Sequence, residues 1–292
     1  MDAIRTEKLT KYYGKSRGIL ELDLTVEQGT FFGFIGPNGA GKSTTIRTLL
    51  GLIAPTSGTA KLLGMGLETP REQLLRDVGY LPSEAIFYPG MKVKEVLQLS
   101  AGLRKTDCRK AAAALCDRLQ LDPGKRVEEL SFGNRKKLGI LCALQHDPRL
   151  LVLDEPTSGL DPLMQREFFA ILEERNKAGA TVFLSSHVLG EISRHCSRAA
   201  IIREGRIIAC DKVENLARTD ARRVSVRGSL DLTGLEVRDL QTGEDGISFL
   251  YSGPMEPLLA VLARGQIRDL TVTEPDLEEI VLHYYEKGGD PV

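Results

Sequence analysis

The stretch Gly36-Pro37-Asn38-Gly39-Ala40-Gly41-Lys42-Ser43-Thr44 decides the fold of this chain. It has the pattern G-x-x-x-x-G-K-[ST], follows the apolar run 30–35 and precedes a helical pattern. Its glycines let the backbone curl, so that several N–H groups point into one cavity that a phosphate can fill. Lys42 is placed to meet the β- and γ-phosphates of a nucleotide, and the Ser43 hydroxyl to meet Mg²⁺. The backbone of residues 38–44 is therefore a predicted phosphate site after a strand.

A second motif, LLVLDEP at residues 150–156, ends an apolar run with two carboxylates. Such a run is typical of a parallel strand that is buried on both faces, and ligands bind at the carboxyl ends of these strands. Because side chains alternate along a strand, Asp154 and Glu155 point in different directions. One carboxylate can then face Mg²⁺ while the other faces the γ-phosphate and an attacking water.

The segment LSFGN at residues 130–134 predicts a second anion site. A helical pattern, first basic and then apolar, follows these small and polar residues at once. Free backbone N–H groups and the helix dipole point towards Ser131 and Gly133 at such a helix start. Since residues 36–44 already provide a phosphate site, the motif alone leaves open whose phosphate this second site binds.

Apolar strands alternate with amphipathic helices over most of the chain, which indicates an α/β fold. No strand is evident between about 88 and 147, so we expect a helical lobe inserted into the core of a domain over 1–216. After residue 216 the pattern predicts a small α+β domain over 217–292, with strands at 224–228, 247–253 and 267–274 and helices at 255–265 and 275–287.

The composition favours an ordinary globular protein with a full core, since 42% of the 292 residues are hydrophobic and 27% are charged. The net charge of −1 gives no global basic field for nucleic acid. Five scattered cysteines without C-x-x-C spacing argue against zinc and disulfides. No apolar run reaches the roughly 18–20 residues of a membrane span. The start MDAIRTEKLTKYYGK lacks the apolar region of a signal peptide, so we expect a cytosolic protein.

Together these motifs resemble those of the ATP-binding cassette (ABC) ATPase family, over nearly all of residues 2–215. LSFGN is similar to the family signature L-S-G-G-Q, from which Phe132 and Asn134 depart. SGLD at 158–161 resembles the D-loop of the family, and His187 matches its switch histidine. Tyr13 matches the aromatic residue that stacks on adenine, and its neighbour Tyr12 fits less well by spacing.

The resemblance implies a P-loop ATPase core with an inserted helical lobe and a small α+β appendage, with ATP and Mg²⁺ as ligands. In the family, two cassettes pair head to tail, and the signature of one closes over the γ-phosphate held by the other. Ser131, Gly133 and the helix start at Asn134 are then expected to bind the ATP of a second cassette, either an identical chain or a related subunit.

The resemblance also implies a role for each residue of the first site. Glu155 is expected to act as general base or to position water, and His187 to contact the γ-phosphate and align that water. Asp154 and Ser43 are expected to hold Mg²⁺.

One family residue is missing. Where these ATPases carry a glutamine that touches Mg²⁺ and water and senses the membrane partner, this chain has Ser83. A serine is too short to reach the metal at the distance of a glutamine, so a water would bridge them. Two alternatives stay open: Glu84 supplies the oxygen ligand, or hydrolysis is slow or dependent on a partner.

The segment TEPDLEEIVLHYYEKG at 273–288 resembles the tail of ATP-binding subunits of bacterial drug, antibiotic and bacteriocin exporters. It implies a cytoplasmic subunit at the inner face of the membrane, bound to separate permease subunits. A slow or non-hydrolysing ATP-gated regulatory clamp and a soluble ABC ATPase outside transport stay open. The basic residues 135–137 are interpreted as a solvated face or as the rim of the ATP site, and we expect no nucleic-acid partner.

Overall fold

The computed structural model describes residues 1–216, 221–243 and 246–274. The chain divides into two compact units, Met1–Val213 and Glu214–Val292. From the sequence, we expected the second domain to begin at residue 217. The predicted helix at 275–287, which makes up most of the exporter-like tail, lies outside the described residues.

The strands of the described part form three sheets. In chain order they are β1 (Asp2–Tyr13), β2 (Ser16–Glu27), β3 (Phe31–Ile35), β4 (Ser57–Leu62), β5 (Met65–Gly66), β6 (Val78–Leu81), β7 (Leu150–Asp154), β8 (Thr181–Ser186), β9 (Arg198–Arg203), β10 (Arg206–Lys212), β11 (Arg222–Ser229), β12 (Val237–Gly243), β13 (Gly246–Tyr251) and β14 (Gln266–Thr273).

The helices of the described part, apart from a 3-10 turn at Val127–Glu129, are α-helices. In chain order they are α1 (Lys42–Leu49), α2 (Arg71–Leu74), α3 (Val93–Leu103), α4 (Arg109–Arg118), α5 (Phe132–Leu144), α6 (Pro162–Lys177), α7 (Leu189–His195), α8 (Val213–Leu216) and α9 (Met255–Arg264). None of the helices in the described residues is both long enough and apolar enough to cross a lipid bilayer.

The central sheet of the first unit has the strand order β10-β9-β3-β8-β7-β6. All its neighbours pair in parallel except β9 and β10. Every residue of β3, β7 and β8 is buried, which confirms the strands predicted from the apolar runs at 30–35 and 150–153. Because parallel strands end at the same edge, the segments after β3, β6, β7 and β8 come together there.

A second sheet of this unit, β2-β1-β4-β5, is antiparallel and was not predicted. Along β2, Leu22, Leu24 and Val26 are buried while the residues between them are exposed. Such alternation is typical of a strand with one covered face, and it has no continuous apolar run to mark it. The prediction relied on apolar runs, and so it missed this sheet.

The segment 88–147 contains α3, α4, the 3-10 turn and α5, with a single isolated strand bridge between Lys92 and Arg126. It has the helical character that the sequence indicates. Ser131 caps α5, since its Oγ accepts a hydrogen bond from the Asn134 amide at 3.3 Å. The helix start predicted from LSFGN is therefore present.

In the second unit, the described residues form the antiparallel sheet β12-β13-β11-β14 and the helix α9. Its core contains Val224, Val226, Phe249, Tyr251 and Leu258. The strands β11, β13 and β14 and the helix α9 confirm the predicted elements. The strand β12 was missed because its sequence, VRDLQTG, has neither an apolar run nor an apolar–polar alternation, and accordingly none of its residues is fully buried.

Candidate functional site

The loop 36–41 joins β3 to α1 at the edge where the parallel strands end. Gly41 has a φ of 112°, and a Cβ there would lie 2.9 Å from the Gly18 carbonyl oxygen. A side chain at Gly36 would meet the Ile202 carbonyl oxygen at 2.6 Å. The helix α1 has no side-chain N-cap, so its first N–H groups remain available to a phosphate.

Lys42, the first residue of α1, is only 6% exposed. Its Nζ donates hydrogen bonds to the carbonyl oxygens of Gly36 at 2.5 Å and Pro37 at 3.3 Å. The same atom lies 3.2 Å from Glu155 Oε1, so the ammonium also forms a buried ion pair. The structure thus brings the lysine of the first motif and the glutamate of the second into contact.

Asp154 ends β7 and is 1% exposed. Its Oδ1 accepts a hydrogen bond from Ser185 Oγ at 2.6 Å, whereas its buried Oδ2 has no donor within the described part of the chain. A buried carboxylate oxygen without a donor is costly unless a cation satisfies it. An aspartate oxygen and a serine hydroxyl are ligands that Mg²⁺ accepts, so Asp154 and Ser43 fit this ion. Ser185 was not predicted, although it stands two residues before His187.

Glu155 follows β7 directly, and its side chain is 16% exposed. Its φ of 49° lies in the left-handed region, which costs a non-glycine residue about 1 kcal/mol. The Glu155 amide donates to the Ser185 carbonyl oxygen at 3.1 Å. Its Oε2 lies 2.7 Å from Nδ1 of His187, which is exposed after β8. The carboxylate is therefore held between Lys42 and His187.

A cavity of about 340 Å³ lies over the loop 36–41. The predicted site residues that line it are Tyr13, Asn38, Gly39, Gly41, Lys42, Ser43, Thr44, Ser83 and Glu155. Arg17 and Gly18 also line it and were not predicted. Arg17 Nη1 donates to Glu204 Oε2 at 2.7 Å. No motif marks Arg17, which reaches the cavity because β1 and β2 pair Tyr12 with Arg17.

Some predicted residues lie outside this cavity lining. Ala40 is 4% exposed, packs in the core and donates its N–H to the Pro37 carbonyl oxygen at 3.1 Å. Tyr12 lines a different groove, which leaves Tyr13 as the aromatic residue beside the loop. Glu84 is exposed and is not part of the lining, whereas Ser83 is.

The predicted second anion site, at the start of α5, does not share the cavity of Lys42. Ser131 is exposed there, and a Cβ on Gly133 would lie 2.7 Å from the Gly159 carbonyl oxygen. The ring of Phe132 occupies the space where Gly159 would carry a side chain. LSFGN therefore packs against the SGLD segment of the same chain, and its polar groups remain at the surface.

The solvated-face interpretation of the basic residues 135–137 is wrong for two of them. Lys136 is 3% exposed and Lys137 is 8% exposed. Burial lowers the pKa of Lys136 to about 8, and the charges of Asp154 and Glu155 oppose that shift. The spacing of the sequence indicated this burial, because Lys136 lies on the same face of α5 as the buried Ile140 and Leu144.

Comparisons with known proteins agree with this geometry. The ABC transporter family matches residues 19–158. The bacitracin transport ATP-binding protein BcrA of Bacillus licheniformis is 34% identical, over 94% of this chain and 95% of that protein. The linearmycin resistance ATP-binding protein LnrL of Bacillus subtilis (strain 168) is 29% identical, over 96% of this chain and 97% of that protein.

Among solved structures, an ATP-binding subunit of an ABC transporter superimposes with a TM-score of 0.71 and 28% identity. The match covers 74% of this chain and 92% of that subunit. Sequence, fold and site geometry agree, and the chain belongs to the ABC transporter family as a subunit that binds and hydrolyses ATP.

Proposed function

We propose that this chain is the ATPase subunit of an exporter and drives a separate membrane permease. The relatives that support this are named for bacitracin transport and linearmycin resistance, and their similarity extends over nearly the whole chain. They favour the exporter over a regulatory clamp and over a soluble ATPase outside transport. Because a permease is a membrane protein, we place the subunit at the inner face of the cell membrane.

The observation that carries the proposal is the position of Glu155 between Lys42 and His187 beside the phosphate loop. The triphosphate of ATP competes with Glu155 for the ammonium of Lys42, since both are anions. Once Lys42 contacts phosphate, the carboxylate is available to accept a proton from water, with His187 as its hydrogen-bond partner. Catalysis of phosphoryl transfer consists mainly of such positioning and charge neutralisation.

Ser43 and Asp154 would hold Mg²⁺ at this site. The buried Oδ2 atom of Asp154 accepts no hydrogen bond from the described residues, so it is available to the ion. When bound, the ion would supply positive charge to the β- and γ-phosphate oxygens. Tyr13 would stack on the adenine, and the backbone of residues 38–44 would contact the phosphates. Ser83 would contact the Mg²⁺ ion through a bridging water molecule.

The second anion site supports a head-to-tail dimer. Ser131, Gly133 and Asn134 lie at a helix start outside the cavity of their own chain. A helix start at the surface binds an anion that another molecule brings. We therefore assign this site to the ATP of a second cassette, identical or related.

The first experiment measures ATP turnover and oligomeric state of the wild type and of Glu155→Gln, with ATP and Mg²⁺. We expect turnover in the wild type and a loss of at least about 100-fold in the variant, which is the usual range for a general base. The variant should remain dimeric while ATP is present. Glu72→Gln, an exposed change of the same chemistry on α2, is the control.

A wild type without turnover, which dimerises on ATP as the variant does, would instead indicate an ATP-gated clamp.

A parallel test in cells addresses export. Disruption of the gene should raise sensitivity to bacitracin or linearmycin, and the wild-type gene, but not Glu155→Gln, should restore resistance. Unchanged sensitivity to both would reject this class of export and leave the ATPase assignment intact.

A further inference from the structure

Lys136 lies where α5, the segment after β6 and the residue after β7 meet. Its Nζ donates to the carbonyl oxygens of Ser83 at 2.9 Å, Glu155 at 2.9 Å and Pro82 at 3.4 Å. An ammonium has three N–H donors, and here three backbone acceptors match them. The side chain is 3% exposed, so these bonds form away from water.

A buried cation is expensive to desolvate, so its contacts must offset that cost. Lys136 makes no hydrogen bond to a carboxylate among the described residues, although the charges of Asp154 and Glu155 act on it. All the hydrogen bonds of its ammonium go to backbone carbonyl oxygens. The contacts therefore fix main-chain segments, which is what a positioning group does.

The Glu155 peptide groups are fixed on both sides. The amide of Glu155 donates to the Ser185 carbonyl oxygen, and its carbonyl oxygen accepts from Lys136. The φ of 49° between these bonds is unfavourable for glutamate, so it persists only where neighbours hold it. This conformation directs the carboxylate towards Lys42 and His187.

The segment after β6 is held by the same ammonium. The strands β6 and β7 are neighbours in the central sheet, with Leu81 paired to Leu153, so Ser83 and Glu155 follow adjacent strand ends. Both residues line the nucleotide cavity. Lys136 therefore fixes the distance between two cavity residues, Ser83 and Glu155, through their backbones. It lies on α5, the helix that begins at the signature segment LSFGN.

We propose that Lys136 is a positioning residue for ATP hydrolysis, which fixes the backbone of Glu155 and Ser83 and ties both to the signature helix. The inference rests on the proposed function, because it assigns to Lys136 a role through Glu155. The hydrogen bond from Lys136 to the Ser83 carbonyl oxygen also holds this short residue at the cavity wall. Loss of the ammonium frees the Glu155 carbonyl and lets the carboxylate move.

The test compares Lys136→Met, which keeps the length of the side chain and removes all donors, with Lys136→Gln, which keeps two N–H donors. Lys110→Met, an exposed lysine of the same lobe, is the control. We expect kcat to fall at least about tenfold in Lys136→Met, since small displacements of catalytic groups have such effects. Affinity for a fluorescent ATP analogue should stay within about threefold, and Lys136→Gln should retain part of the turnover. If Lys136→Met does not fold, Lys136→Gln carries the same comparison.

A double-mutant cycle with Glu155→Gln, read by single-turnover hydrolysis, separates positioning from a general structural role. If Lys136 acts through Glu155, its replacement should change the residual rate of Glu155→Gln by less than about twofold. The same fold-loss in both backgrounds, an equal loss of ATP affinity and turnover, or unchanged kcat in both variants would overturn the proposal. A wild type without turnover would overturn the proposed function and this role with it.

Discussion

Two helices of this chain begin at predicted phosphate sites, and they differ in what surrounds their first turn. The start of α1 carries the buried Lys42 and faces a cavity with Glu155, and no side chain caps it. The start of α5 is capped by its own Ser131 and lies at the surface. The first site has a cation, Lys42, and the carboxylate that we propose as the base, Glu155, in the same chain.

The residues predicted for the second site, Ser131, Gly133 and Asn134, are all uncharged. Its contacts within the chain are with the SGLD segment, through Phe132 and Gly133 against Gly159. A helix start can position an anion but supplies no acid, base or full charge. We therefore expect the first site to hold ATP with groups of its own chain, and the second site to complete a nucleotide site on another molecule.

Lys42→Ala should have the largest effect. It removes the buried ammonium and leaves the Glu155 carboxylate without its cation, next to the triphosphate that must bind. We expect ATP affinity to fall by about 100-fold, because the phosphates lose a charged donor and a hydrogen bond to a charged group is worth up to about 3 kcal/mol. Titration with a fluorescent ATP analogue measures this, with Lys110→Ala as the control. Affinity within about threefold of wild type would mean that α1 is not the primary phosphate site.

Gly41→Ala should come next, with Gly39→Ala as its matched comparison in the same loop. Both glycines have positive φ, but only at Gly41 would a Cβ meet backbone, at the Gly18 carbonyl oxygen. Positive φ alone costs alanine about 1–2 kcal/mol. We expect Gly41→Ala to lose ATP affinity and several degrees of Tm beyond Gly39→Ala. Equal losses in both variants would show that the contact with Gly18 is unimportant.

Ser131→Ala should affect only the second site. The change removes the N-cap of α5, at a cost of about 1 kcal/mol in stability. Affinity for ATP should be unchanged in dilute, monomeric protein, whereas the ATP-dependent dimer in the Glu155→Gln background should weaken about tenfold in sedimentation experiments, as expected for one lost bond to a charged group. A weakened monomer affinity would contradict the division of the two sites.

His146 at the far end of α5 should give the smallest effect, on stability alone. Burial, reinforced by the positive charge of Arg104, lowers its pKa from 6.5 to about 4. Between these values the unfolded chain binds the proton and the folded chain does not, so stability falls as the pH drops from 6.5 towards 4. Urea unfolding at pH 7 and pH 5 should show this loss, and His146→Gln should reduce it. An identical pH dependence in the variant would assign the loss to other groups.

The sequence predicted the parts of the site that are local in the chain. The strand–loop–helix unit around Lys42 and the carboxylates at the end of β7 follow from pattern and spacing. The ion pair of Lys42 with Glu155 depends on how β3 and β7, which begin 119 positions apart at Phe31 and Leu150, are ordered in the sheet, and spacing does not encode this order. The left-handed backbone of Glu155 likewise comes from tertiary hydrogen bonds that override local preference.

The missed features share a physical cause. The antiparallel sheet and β12 have little continuous apolar sequence, and Arg17 enters the cavity only through the register of β1 with β2. Lys136 was interpreted by its charge, which usually keeps a lysine in water. Its position in the helix indicated burial, and the carbonyl oxygens that make this burial possible lie 53 and 19 residues away in the chain.

The contact between Lys42 and Glu155 makes nucleotide binding an exchange of counterions. One ammonium would serve as counterion first to a carboxylate and then to phosphate. The carboxylate that would activate water is neutralised for as long as there is no phosphate to attack. If Glu155 is the base, as we propose, substrate binding and release of the base are one event, and the chain would acquire its reactive state only in the presence of ATP.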